Sequence, residues 1–364
     1  MAFGISVYPG LDNTTEENVA LIRRAARLGV ARLFTSLHIP EHDKNAFAEE
    51  LRAILDAARA ARLDLIADVT PESADILGIA SCTPEAFHAF GIHTLRFDYG
   101  FGASEIAAFT RSETGARIQL NASTITEEFL TELSKNGADF SRLEALHNFY
   151  PRENTGLSVR AFAEKTALLH RFGVRVGAFA ATRDGKKRGP LFGGLPTLEL
   201  HRDFTVDLAV RHLIALGADD IFLSDSLPTD EELAALASAA PNLVTLRAVP
   251  TVKSAALRRF LSAPFTARPD EARDVVRAVE SRTRAKETGL HLSPENTAGR
   301  PFGAVTLDNA GYPRYAGELQ IIKRPQPADP RTNVIAHIRD EERFLIPCIR
   351  PGSRFQILLD EQKM

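Results

Sequence analysis

The sequence predicts an α/β protein: a (β/α)8 barrel over residues 1–244, followed by a small, mainly-β domain over residues 245–364. Three observations predict it. Eight short apolar runs alternate with amphipathic segments as far as Ala240, which is the count and size of such a barrel. After Thr245 the texture changes to short strand-like runs punctuated by Gly and Pro. No Gly-rich dinucleotide fingerprint follows the first run, so little favours an open, doubly wound sheet. A chain of 364 residues has room for two such units.

The eight runs are "FGISVYP" (Phe3 to Pro9), "RLFTSLHIP" (Arg32 to Pro40), "LDLIADVT" (Leu63 to Thr70), "TLRFDYG" (Thr94 to Gly100), "ARIQLNAS" (Ala116 to Ser123), "RLEALHNFY" (Arg142 to Tyr150), "VRVGAFAA" (Val174 to Ala181) and "DDIFLSDS" (Asp219 to Ser226). Near-continuous apolar runs of this length read as strands buried on both faces of a parallel sheet. The segments between them begin and end as helices do. Thr14-x-x-Glu17 forms a capping box before "VALIRRAARL", and Gly29 follows as a left-handed stop. "KNAFAEELRAILDAARAA" and "SVRAFAEKTALLHRFG" repeat the pattern, the second closing at Gly173, and Thr229-x-x-Glu232 opens the helix after the last strand. Beyond Thr245, a Pro-bounded stretch with one short helix leads into "GAVTLDN", "YAGELQIIK", "NVIAHIRD", "RFLIPCI" and "SRFQILL". Strands this short between turn signals suggest a small antiparallel barrel or sandwich.

Composition narrows the class of partner. With 44% hydrophobic and 25% charged residues the chain is an ordinary globular protein, and its formal charge of −3 gives no reason to expect nucleic acid or a membrane surface. No apolar run approaches the roughly 20 residues that span a bilayer. The N-terminal "MAFGISVYPG" lacks a secretory pattern, and Cys82 and Cys348 lie far apart without metal-ligand spacing, so reduced thiols and a cytoplasmic location are expected. Nothing in the composition bears on whether the chain forms a homo-oligomer.

A barrel of this kind carries its active site at the carboxyl ends of its strands. That rule selects Tyr8 after the first strand, His38 and Glu41 after the second, Asp68 at the third, and Asp98 with Tyr99 at the fourth. Asn121 and Ser123 follow at the fifth, His147, Asn148, Tyr150 and Asn154 at the sixth, "RDGKKRG" (Arg183 to Gly189) at the seventh and Asp225 at the eighth. Asp68 stands before "TPES" and could instead cap a helix; Asp225 is read as a turn or cap residue. Asp98 precedes Tyr-Gly-Phe-Gly, a poor helix start and a good close-approach loop. His38 could be a structural histidine, whereas His147 is read as ligand-facing because Asn148, Tyr150 and Asn154 crowd beside it. Lys186 and Arg188 read as an anion clamp where phosphate sites recur in this fold. No metal or cofactor motif is present, so carboxylates at strand ends point to acid/base chemistry on a polyhydroxylated substrate. Asp68 and Asp98, on strands about 4.8 Å apart, could face one sugar. Retention or inversion would follow from the separation of the two carboxyls.

Together, "GISVYP", "LFTSLHIPE", "LRFDYGF", "LNAST", "LHNFYPRENTGLS" and "DGKKRGPLFGGLPTLELHR", with "RPDEARDVVRAVESR" and "GAVTLDNAGYPRYAGELQI" later in the chain, resemble the bacterial 6-phospho-N-acetylmuramidase family. The resemblance implies that the second domain is a cyclophilin-like β-barrel. It implies a cytosolic, cofactor-free glycosidase of peptidoglycan recycling that splits the β-1,4 bond of 6-phospho-MurNAc–GlcNAc. Asp68, Asp98 or Glu41 would then serve as acid and as nucleophile or base, unless the substrate's N-acetyl group is the nucleophile. Tyr8, His38, Asn121, His147, Asn148, Tyr150 and Asn154 would hold the sugars. Lys186 and Arg188 would meet the phosphate, joined by Arg314 at a loop tip and by Arg273 and Arg277, which four-residue spacing would place on one helix face. Two other readings compete: a sugar-phosphate lyase or aldolase, although no strand end carries the lysine a Schiff base needs, and a non-catalytic sugar-phosphate binder.

Overall fold

A computed structural model describes residues 1–37, 44–97, 99–251, 254–261 and 263–360. Eight parallel strands close into a barrel: β1 (Ala2–Ser6), β2 (Arg32–Ser36), β3 (Asp64–Val69), β4 (Thr94–Phe97), β5 (Arg117–Asn121), β6 (Leu143–Leu146), β7 (Arg175–Ala180) and β8 (Asp220–Leu223). The ring closes through β8, whose Phe222 pairs with Gly4 of β1.

Helix ends are built from local chemistry. The helix Thr15–Arg27 starts on the reciprocal bonds between Thr14 and Glu17, and Asp230–Ala237 on those between Thr229 and Glu232. Between β3 and β4 the chain makes two short helices, Ser73–Leu77 and Pro84–Ala89. Among the described residues, no helix is long and apolar enough to cross a membrane.

Alternate residues of each strand point into the barrel, forming layers. The middle layer is apolar: Phe34, Ile66, Leu146, Phe179 and Phe222 pack together. This layer sets the demand for two glycines. A Cβ on Gly4 would lie 2.2 Å from its ring, and one on Gly177 would lie 2.8 Å from Leu146 and 3.5 Å from Phe222. The layer at the N-terminal end is ionic. Arg32 donates from Nε to Asp64 (3.0 Å), from Nη1 to Asp220 (3.1 Å) and from Nη2 to Glu144 (2.6 Å), while Gln119 also binds Glu144 (2.6 Å). Burial works against the charge of Arg32, but the three carboxylates hold its pKa above the ordinary value. This polar plug and the aromatic layer close the barrel from below, leaving the C-terminal end for chemistry.

The chain separates into two compact units that part between Ala239 and Ala240, with Ile214–Leu216 grouped with the second. The second unit is a curled sheet of seven strands: β9 (Val244–Pro250), β10 (Phe265–Thr266), β11 (Val275–Arg277), β12 (Ala304–Asp308), β13 (Leu319–Ile322), β14 (Thr332–Ile338) and β15 (Arg354–Leu359), in the order β10-β15-β9-β14-β12-β13-β11. The sheet is mixed rather than antiparallel, because β9, third in that order, lies parallel to β15. The single short helix expected here is two, Ala255–Leu261 and Ser281–Glu287. "VVR" between them is strand β11, so Arg273 and Arg277 do not share a helix face; Val276 is buried and Arg277 alternates with it.

Candidate active site

At the C-terminal end of the barrel, register carries the inward face two residues beyond the apolar layer. Ser36, Asp68 and Arg96 stand side by side on β2, β3 and β4. Arg96 Nη1 donates to Asp68 Oδ1 at 2.7 Å, the side chains being 4% and 18% exposed. Its second amino group donates to Asn148 Oδ1, just after β6. Ser123 completes the frame: its Oγ accepts the N–H of Asn148 (2.9 Å), and its own N–H donates to Asn121 Oδ1 (3.0 Å). One guanidinium thus ties the ends of β3, β4 and β6 together and holds one carboxylate at the mouth. At the start of the following helix the Thr70 N–H donates to Ser73 Oγ at 2.9 Å. Asp98, with His38 and Glu41, lies outside the described residues.

Across the mouth, Tyr8 is buried and donates to the Ser224 carbonyl at 2.7 Å, and burial pushes its phenol pKa up. The Arg188 guanidinium lies over the Tyr8 ring (4.7 Å to its centroid) and the Phe149 ring (5.0 Å). Its Nε has no hydrogen-bond partner among the described residues. The loop bearing it is braced from below. Asp225 accepts the N–H groups of Thr182 (2.9 Å), Arg188 (3.0 Å) and Leu195 (3.3 Å), and burial raises its pKa against those bonds. Asp12 accepts the Gly189 N–H at 2.6 Å. Lys186 is engaged in this bracing: its Nζ donates to the Asp12 carbonyl and to Asn13 Oδ1.

The polar stretch from His147 to Ser158 mostly bonds to its own scaffold. Asn148 and Phe149 reach the mouth. His147 faces the other way, fully buried against Phe162 and Thr166 of the helix Val159–Arg171, with Ser123 Oγ 3.2 Å from its Nδ1. Burial, with Lys165 adding to it, lowers its pKa to about 3, so the ring is neutral. The expected ligand-facing imidazole is a packed one, because successive residues of a strand alternate sides. Beyond it, Tyr150 is half-buried and its N–H donates to the Pro196 carbonyl (3.0 Å). Glu199 accepts the N–H groups of Asn154 (2.9 Å) and Gly156 (2.7 Å). Arg202 pairs with Glu199 and donates to the carbonyls of Tyr150, Arg152, Gly193 and Gly194. The Arg202 bond, then the two backbone bonds, lower the Glu199 pKa to about 2. Asn154 takes a left-handed turn there (φ +65°).

In the second unit, Arg273 pairs with Asp274 at 2.9 Å and Arg277 with Asp270 at 2.7 Å, while Arg314 is exposed and its carbonyl accepts from Arg282. Among the described residues, no three His, Cys, Asp or Glu side chains gather closely enough to hold a metal.

Two groups escaped sequence reasoning. Arg96 lies inside an apolar run, and a charge there implies a buried partner; that signal was available. The Glu199–Arg202 pair carries no comparable signal.

The comparisons with known proteins agree with this architecture. Residues 3–238 match the N-terminal model of the 6-phospho-N-acetylmuramidase family, and residues 244–358 match its C-terminal model. An uncharacterized B. cereus protein of solved structure is 28% identical, with 98% of this chain and 99% of that one covered and a TM-score of 0.85. A conserved Enterococcus faecalis protein of unknown function is 34% identical, with 99% and 97% covered and a TM-score of 0.67. No curated protein matches. With both of its units matched in order, the chain belongs to the 6-phospho-N-acetylmuramidase family and is a glycosidase.

Proposed function

We propose that this enzyme hydrolyses the β-1,4 bond of 6-phospho-MurNAc–GlcNAc in the cytoplasm, as a step of peptidoglycan recycling. The observation that carries the reading is the Asp68–Arg96–Asn148 constellation at the barrel mouth. A carboxylate clamped by a guanidinium suits an anionic role: nucleophile, base, or orienter of the substrate's N-acetyl group. The proton donor to the leaving oxygen is then a second carboxyl, and Asp98 and Glu41 are its candidates. Asn121, Asn148 and Tyr8 border the same mouth and suit the sugar hydroxyl and amide groups. Arg188 is the best-suited phosphate partner, since its Nε has no partner among the described residues, whereas Lys186, Arg273 and Arg277 already meet carbonyls or carboxylates of their own.

The test is to follow GlcNAc release from 6-phospho-MurNAc–GlcNAc and from its unphosphorylated counterpart. Release from the phosphorylated disaccharide alone is expected, with loss of that preference in Arg188→Ala. Release from neither by folded enzyme would overturn the assignment.

A further inference from the structure

The backbone of Asn148 is held from both sides by hydroxyl groups. Its N–H donates to Ser123 Oγ at 2.9 Å, and its carbonyl accepts from Thr197 Oγ1 at 3.0 Å. Thr197 is fully buried in the loop after β7. Its Oγ1 accepts the Phe179 N–H at 2.9 Å, and its own N–H donates to the Phe179 carbonyl at 3.1 Å, which stitches it to β7. The direction of each hydroxyl follows from these partners. Ser123 Oγ takes the Asn148 N–H, so its hydrogen is left for His147 Nδ1, 3.2 Å away in a neutral ring. Thr197 Oγ1 takes the Phe179 N–H and gives its hydrogen to Asn148. Each hydroxyl thus has one donor and one acceptor partner, which fixes its rotor.

We infer that Ser123 and Thr197 are positioning residues for the glycosidase reaction: by clamping the backbone of Asn148 they aim its Oδ1 at Arg96, and through Arg96 they hold Asp68. The inference rests on the reading of Asp68 given above. Arg96 spends one amino group on Asp68 and the other on Asn148. Its guanidinium is a rigid plane, so a shift of Asn148 at one amino group turns the other against the carboxylate. The chain of bonds runs from Ser123 after β5 and Thr197 on β7, through Asn148 after β6 and Arg96 on β4, to Asp68 on β3. Neither hydroxyl needs to touch the sugar for this. Thr197 is fully buried, and both act through the residue they clamp.

The experiment follows GlcNAc release from 6-phospho-MurNAc–GlcNAc at a temperature below the melting range of every variant. Ser123→Ala and Thr197→Val are each expected to lower kcat about tenfold, as for a carboxylate displaced by less than 1 Å, with KM within about threefold of wild type. Thr197→Ser keeps the hydroxyl and should hold kcat within about threefold. The decisive comparison is made in Asn148→Ala, which has no Oδ1 to offer Arg96. In that background Ser123→Ala should cost less than about a further twofold in kcat, because the two residues act in series. A brace without a catalytic role would lower the melting temperature of Ser123→Ala and leave kcat at the wild-type value. A direct effect of Ser123 would persist at full size in Asn148→Ala. Either result overturns the inference. Asp68→Asn separates it from the reading it rests on. Full activity there removes Asp68 from the reaction and this inference with it; an inactive Asp68→Asn beside fully active Ser123→Ala and Thr197→Val overturns the inference alone.

Discussion

Replacing Arg96 by methionine removes the guanidinium that joins Asp68 to Asn148 while keeping most of the side chain's volume. Arg96 is 4% exposed and Asp68 is 18% exposed, so the carboxylate left behind stays mostly out of water. Breaking a buried pair by removing one partner costs about 3–5 kcal/mol, and the partial access of Asp68 to solvent places this case at the lower end, about 3 kcal/mol. Catalysis should suffer separately. A reacting carboxylate that loses its orienting partner shifts by up to about 1 Å, which costs on the order of 100-fold in kcat. Urea denaturation measures the first effect; steady-state kinetics at a temperature where the variant is fully folded measures the second. Arg96→Lys retains the charge but not the fork that reaches both Asp68 and Asn148, and should recover stability more than kcat. A folded Arg96→Met protein with kcat/KM within about threefold of wild type would refute the reasoning. It would make the pair a brace, with the reacting carboxylate elsewhere.

Three further predictions follow from the same geometry. Arg32→Met removes the cation shared by Asp64, Glu144 and Asp220, of which Asp64 and Asp220 keep Arg117 and Arg175, and should lower stability by about 3 kcal/mol in urea titration, with kcat little changed below the melting range because the plug lies at the opposite end from the mouth. His147 is held neutral with a pKa of about 3, so between that value and the unfolded value of about 6.5 the unfolded chain binds more protons and stability falls as pH falls. His147→Gln should flatten that part of the stability–pH curve and leave kcat/KM within about threefold, because the ring faces the helix layer. The Glu199 carboxylate, lowered to about 2, holds the Asn154 and Gly156 amides fully above its unfolded pKa of about 4.3 and releases them as pH falls through the folded value. Amide exchange at those two positions should therefore gain an acid-dependent component between pH 4 and 2, and unchanged protection there would count against the anchor.

The barrel was legible because its signals are local. Continuous apolar runs, the Thr14–Glu17 and Thr229–Glu232 boxes, and Gly29 and Gly173 at helix ends each depend on residues a few positions apart. What was misread depended on direction or distance. His147 and Asn148 are neighbours in sequence with similar polarity, yet one faces the helix layer and the other the mouth. A strand reverses side at each residue, and only the closed barrel says which side is in. Arg273 and Arg277 have helical spacing, but the pairing of Arg277 with Gln320, far along the chain, makes that segment a strand.

The sequence by itself determined the two-part architecture, the position of the mouth and the family, since apolar periodicity, caps and long loop motifs are properties of contiguous residues. Only the tertiary structure decided which polar residues meet. The register of β3 on β4 sets Asp68 against Arg96, 28 residues apart. The fold of the loop after β7 carries Arg188 onto the rings of Tyr8 and Phe149, and Glu199 with Arg202 gathers the loop after β6. These contacts join distant segments, and their energies depend on burial and register, which no short stretch of sequence contains.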